Sequence, residues 1–330
     1  MKTWLLCGVM AASLAASVLT SAPGSAQTTV KFGYLADPSH EAVMWALKNG
    51  KAKSDKIRVE ATPLNISALI QATAARSYDV IQTAAVAIPR ARERGLDLRI
   101  VGTGLRYHAS GEGAAIWVKK GSPIKSVADL KGKKLGVYSL GSAGITLIRI
   151  ALADVHGLNV AVRGGDIEFV EMPAPALPAA LASGRIDAAT LIHAQAFKAM
   201  QTDDFVVVTQ TAGDLTKKFG VRMVSAVLAG YGDRLDADSD AYKEFLRVLH
   251  ASVEYAAKNP GEVFPAVAKA TDTDPEFFKA WFTRFSQFPA LLSKNDIKAI
   301  ELLWKRAIEL GILKKAPPVM ETVWKPAIQD

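Results

Sequence analysis

With 330 residues, half of them hydrophobic, the chain has material for more than one core, since a domain usually takes about 150 residues. Its 40 Lys and Arg exceed its 32 Asp and Glu to give a formal charge of +8, but the basic residues are dispersed in short pieces (Lys119-Lys120, Lys131 to Lys134, Lys217-Lys218), which argues against a nucleic-acid surface. The single cysteine, Cys7, excludes an internal disulfide and a cysteine-held metal site.

Lys2, the apolar run from Trp4 to Leu19 and the small residues Gly24-Ser25-Ala26 read as a secretory signal peptide over 1–26, so a periplasmic location is expected. Val30 to Tyr34 alternates as a strand, and Asp37-Pro38 opens a helix through Leu47 with Asp as its cap. A strand from Ile57 to Ala61, a helix from Asn65 to Arg76, a strand from Tyr78 to Gln82 and a helix from Ala85 to Arg94 follow. This alternation with short connections predicts βαβ units and a mostly parallel sheet.

After Leu98 to Gly102 and a polar stretch at His108 to Gly113, a strand is expected at Ala114 to Val118. A second alternating series then runs through Lys134 to Val137, the helix Ala143 to His156, and strands at Ile167 to Glu171 and Ala188 to Ile192. The segments Ala72 to Thr83 and Ala180 to Leu191 echo each other: helix end, tight turn, Asp, short apolar strand. Beyond a strand at Arg222 to Ala229 the remainder reads as helices at Ser239 to Lys258, Pro260 to Ala270, Pro275 to Phe285 and Lys294 to Leu310, with Trp281, Trp304 and Trp324 as packing residues.

At Gly121 to Val137 the sequence reads GSPIKSVADLKGKKLGV. This segment resembles one found in the binding proteins of the taurine, nitrate and aliphatic-sulfonate ABC importers and their pyrimidine-precursor relatives. The resemblance extends to FGYLADPSH, SYDVIQTAAVAIPRA, SLGSAG, MPAPALPAAL and SGRIDAATL. It implies an α/β fold of the two-lobe periplasmic binding protein type, two mixed sheets flanked by helices, with 27–110 and 225–330 forming one lobe and 111–224 the other. It also implies a monomer without a cofactor that captures a sulfonate, nitrate or carboxylate in the interlobe cleft and hands it to a membrane permease.

The first turn of a helix leaves backbone N–H groups unpaired and carries partial positive charge, so strand-to-helix turns receive anions. Candidate ligand residues on such turns are Asn65, Thr83, Ala84, Ser139, Gly141, Ser142 and Ala143, the last four the strongest because their glycines let backbone approach. The resemblance adds Tyr34, Asp37 and His193, and Glu112 lies near the first lobe crossing. Where sulfonate-binding relatives carry a Trp-Asp-Pro type segment, this chain has His193-Ala194-Gln195, a departure that speaks against sulfonate specificity. His40 and His156 read as helix residues without a special role.

An enzyme would need a reactive constellation. The sequence carries no G-x-S-x-G elbow, H-E-x-x-H, P-loop or dinucleotide fingerprint, so no catalytic or metal-ligating residue is assigned. A pyrimidine ligand, a fold-sharing enzyme such as those of the menaquinone pathway, and a sensor-only module are the alternatives.

Overall fold

The computed structural model describes residues 27–329, so the signal-peptide reading of 1–26 lies outside the described residues. The chain begins β1 (Thr28–Leu35), α1 (Pro38–Lys48), β2 (Ile57–Leu64), α2 (Ile66–Ala75), β3 (Val80–Ala84), α3 (Ala87–Glu93) and β4 (Leu98–Tyr107). It crosses over into β5 (Ala115–Lys119), β6 (Lys134–Val137), α4 (Ala143–Asp154), β7 (Glu168–Glu171), α5 (Leu177–Ala182), β8 (Ala188–Leu191), α6 (Ala194–Met200), β9 (Phe205–Thr209) and α7 (Thr211–Phe219). It returns through β10 (Val224–Tyr231), α8 (Gly232–Ala237), α9 (Ser239–Lys258), α10 (Pro260–Thr271), α11 (Pro275–Ala280), β11 (Ser286–Gln287), β12 (Leu292–Ser293), α12 (Lys294–Glu309) and β13 (Ile328–Gln329). No helix among the described residues is long and apolar enough to cross a membrane.

Two mixed sheets result, ordered β11-β4-β10-β3-β1-β2 and β7-β6-β8-β5-β9. The second repeats the first rank by rank. β1 and β6 each pair in parallel with two neighbours, and β3 and β8 each meet an antiparallel strand that is itself flanked by another antiparallel strand. The sequence echo falls on β3 and β8, which hold the same rank. Helices flank both sheets: α9 packs on β1, β2 and α1, while α12 lies against β10 and reaches α4.

The local chemistry accounts for the elements. Asp37 accepts from the Ser39 amide ahead of Pro38, Asn65 accepts from Ala68, and Ser142 accepts from Ile145, each meeting an otherwise orphan donor at a helix start. Ser126 and Asp129 cap each other around a short 3₁₀ turn in the GSPIKSVADLKGKKLGV segment, and Gly132 ends it at φ 72. Trp281, Trp304 and Trp324 are all buried, with the Trp304 indole donating to the Ala85 carbonyl at 3.0 Å. The helix expected from Pro275 to Phe285 ends at Ala280 and widens into a π turn over Trp281–Phe285.

Gly102 on β4 shows how tightly the loop before α12 lies on the sheet. The Ala290 amide donates to the Thr103 carbonyl at 3.0 Å, and a Cβ on Gly102 would stand 2.0 Å from the Ala290 oxygen. Gly102→Ala is expected to cost about 1–3 kcal/mol through forced backbone displacement, read as a lower midpoint in urea; an unchanged midpoint would refute the close approach.

Candidate functional site

A cavity of about 520 Å³ lies between the two sheets, within the usual size of small-ligand sites. One wall is apolar and comes from the six-stranded side: Leu35 at the end of β1, Ile66, Leu69 and Ile70 on α2, and Leu105 on β4. The other comes from the five-stranded side, where Gly141 to Gly144 open α4 and Ile192 and His193 follow β8. A larger groove of about 760 Å³ beside Arg99, Leu235 and Trp324 touches only the first side, and its arginines are already paired as Arg92–Asp97, Arg99–Asp97 and Arg99–Asp236.

Arg90 on α3 lines the cavity and reaches across it, its Nη1 donating to the Gly141 carbonyl at 2.8 Å. Burial pushes this guanidinium down from its ordinary value, the nearby charge of Arg94 lowers it further, and Glu93 only partly offsets them. Arg149, within α4 and also buried, is lowered by burial and then by Arg90, and spends its Nε and Nη2 on the Val160 carbonyl. Among the described residues neither guanidinium forms an ion pair with a carboxylate. Positive charge therefore accumulates at the mouth of α4, where the amides of Ala143 and Gly144 have no intrahelical acceptor.

The tyrosines facing this region stay neutral. Burial raises the Tyr138 phenol to about 12 and moves Tyr107 above its ordinary value. Gly144 is required beside them, since a Cβ there would meet the Tyr138 hydroxyl at 2.1 Å.

Beside the cavity sits a buried knot of Asp37, His40 and His193. His193 Nδ1 stands 2.9 Å from Asp37 Oδ2 and lies off the line of a hydrogen bond. His193 holds φ 46 and ψ −116, a conformation that costs a non-glycine residue about 1–3 kcal/mol and gathers at functional sites. Burial would raise the Asp37 carboxyl, but the neighbouring His193, and after it His40, outweigh burial and hold the group well below the usual carboxylate range. Burial pushes the His40 imidazole down.

Asp37, His40 and His193 place one ligand atom each within 4.8 Å of one another, a spacing that could hold a metal ion. The neighbouring Gln82 speaks against it. Its Oε1 accepts from the Leu35 amide at 2.9 Å and its Nε2 donates to the Gly104 carbonyl at 3.2 Å, which fixes the amide and leaves Nε2 to donate to His40 Nε2 at 2.9 Å. The His40 proton then sits on Nδ1, the nitrogen that faces Asp37, and that atom has no lone pair for a cation.

A menaquinone-biosynthesis family model matches residues 30–309. The chain belongs to the menaquinone-biosynthesis family. No curated protein matches the sequence. Among solved structures, this family member is similar to protein AF1704 from Archaeoglobus fulgidus at 20% identity and TM-score 0.70, over 86% of this chain and 98% of that one. It is similar to the periplasmic aliphatic sulphonate binding protein SsuA from Escherichia coli at 15% identity and TM-score 0.72, over 92% and 94%. It is also similar to the alkanesulfonate-binding protein SsuA from Xanthomonas axonopodis pv. citri, bound to MOPS, at 19% identity and TM-score 0.68, over 90% and 98%. These likenesses establish the two-lobe periplasmic binding protein fold expected from the sequence. The family is menaquinone biosynthesis; the importer class named from GSPIKSVADLKGKKLGV is its neighbour in fold.

In this menaquinone-biosynthesis family member, Thr83, Ala84, Gly141, Ser142, Ala143 and His193 line the cavity together. Asp37 stands behind them on His193. Tyr34 is fully buried in the core, its hydroxyl donating to Glu41 Oε1 at 2.6 Å. Asn65 is spent on the α2 cap, Glu112 pairs with Arg284 at 3.2 Å, and the Ser139 carbonyl accepts from the Ser142 hydroxyl at 2.9 Å. These four lie off the cavity surface, and Ser142 uses its own proton in the turn. His40, read as an ordinary helix residue, is instead fully buried beside Asp37. Arg90 was missed because it lies mid-helix in a run of similar residues, Arg90, Arg92 and Arg94, with no motif to single it out.

Proposed function

We propose that the chain captures a small organic anion between its lobes, 27–110 with 225–330 and 111–224, and hands it to a membrane importer of the ABC type. The observation that carries this reading is Arg90: a desolvated guanidinium without a carboxylate, at the mouth of an apolar cavity that both sheets enclose. The anionic head is placed at Arg90 and the amides of Ala143 and Gly144, and the body against Leu69, Ile70 and Leu105. The space far exceeds what nitrate would fill, so a sulfonate or carboxylate with a sizeable apolar part is the cargo, taken up by a monomer of the taurine/nitrate/sulfonate importer class working in the periplasm.

Titration of the purified protein with a panel of sulfonates, carboxylates, nitrate and pyrimidines tests this. Ligand at 100-fold over Kd adds about 2.7 kcal/mol to the folded state and raises Tm. The expected result is a saturable shift with organic anions and none with nitrate or neutral pyrimidines; no shift with any organic anion would overturn it. A second reading, that the chain transforms what it binds, draws on the family match and on the buried Asp37–His193 contact beside the cavity. Recovery of the bound compound chemically altered would decide for it.

A further inference from the structure

Asp37 caps α1 at the edge of the six-stranded sheet, and His193 precedes α6 on the five-stranded sheet, so their 2.9 Å contact crosses from one lobe to the other. We propose that this pair is a proton-dependent latch: the imidazolium of His193 closes onto the Asp37 carboxylate, and loss of that proton releases the lobes. The inference rests on the proposed opening and closing of the cleft.

The geometry explains why the contact needs charge. Asp37 Oδ1 is occupied by the Ser39 amide at 2.9 Å and by the Ser39 hydroxyl, which leaves Oδ2 for His193. His193 Nδ1 is buried and no aligned acceptor meets it. A misaligned pair at this distance is held by Coulomb attraction, which a neutral imidazole does not supply.

The titratable groups around the pair do not provide that charge in its place. His40 on α1 has its ring 6.0 Å from that of His193, and its Nε2 accepts from Gln82, the arrangement of a neutral imidazole. Glu41, next on α1, is occupied by the Tyr34 hydroxyl and the Lys48 ammonium, both at 2.6 Å. The other rings packed here, Trp281 and Phe288, carry no charge. Arg90 lines the same cavity from α3 and binds Gly141 across the lobes whatever the pH. His156 pairs with Asp214 at 2.9 Å within the five-stranded lobe, so its titration does not bear on closure.

The sign follows. Closure takes up a proton when it places His193 on Asp37, so the closed population falls as pH rises, by at most about tenfold per pH unit. Ligand affinity, linked to closure, falls in the same direction.

The test needs no ligand. Spin labels on Gln71→Cys of the first lobe and Arg185→Cys of the second, both exposed positions, in a Cys7→Ser background, report the lobe separation by pulsed dipolar spectroscopy. The expected result is a short separation at about pH 5.5 that gives way to a longer one at about pH 8. With Asp37→Asn the pH dependence disappears while α1 keeps its cap, because Asn caps as well as Asp; His193→Gln gives the same loss. A separation independent of pH in the parent protein, or one that still follows pH in Asp37→Asn, would overturn the latch. Because the readout is ligand-free, its failure leaves the binding reading standing, and a failed ligand panel leaves the latch standing.

Discussion

Arg90→Gln is expected to weaken binding of an organic anion by about ten- to hundredfold. Hydrogen bonds to a charged group contribute about 1.5–3 kcal/mol, and each 1.4 kcal/mol is tenfold in Kd. The residue has few competing obligations, since its one hydrogen bond to protein goes to the Gly141 carbonyl. Arg90→Lys keeps the charge but loses the fork, so it should recover only part of the affinity. Calorimetric titration with the best anion from the panel, beside its uncharged isostere, separates charge from shape. An equal loss for both would mean that Arg90 acts only by bridging the lobes, and the anion would have to be held elsewhere.

The largest effect on stability is expected at Asp296, which is 1% exposed and meets Arg106 Nη1 at 2.9 and 3.2 Å. Removing one partner of a buried pair costs about 3–5 kcal/mol because the other is left charged and dry. The penalty is sharpened here by Arg222, whose guanidinium is lowered by burial and then by Arg106, and which leans on the same Gln287 oxygen as Arg106 does. Without Asp296 two guanidiniums would face each other. Asp296→Ala also removes half of the capping box that starts α12 with Ser293. Urea denaturation should show the midpoint fall with an unchanged slope; a loss below about 1 kcal/mol would mean that water reaches the cluster.

The fold was legible because its signals are local. The helices expected to open at Asp37-Pro38, Asn65, Ala143 and Lys294 start within a residue of those positions, and the strands expected near Val30, Tyr78, Lys134 and Ala188 fall on β1, β3, β6 and β8. What escaped was short or decided by packing: β9 with its run Val206 to Val208, α7 behind Thr211, and the π turn at Trp281. The cavity was half legible. The glycines of the α4 turn announced themselves by composition, but Arg90, Gln82 and His40 acquire their meaning only from residues more than twenty positions away, Arg90 from Gly141, Gln82 from Gly104 and His40 from Gln82, and no local pattern records such partners. Tyr34 came from the resemblance, which carries no information on burial; its side chain lies in the core and off the cavity surface.

The strand order also constrains how the chain can acquire its shape as it is made. β10 lies between β3 and β4, so the middle of the six-stranded sheet stays open until residues 224–231 arrive, well after every strand of the five-stranded sheet has been synthesised. The five-stranded sheet can assemble from a continuous stretch, whereas its counterpart must wait and hold unpaired edges at β3 and β4 in the meantime. Long-range pairing of this kind slows folding and leaves sticky intermediates. A nascent chain would thus spend its most aggregation-prone interval with the five-stranded sheet formed and the six-stranded one incomplete.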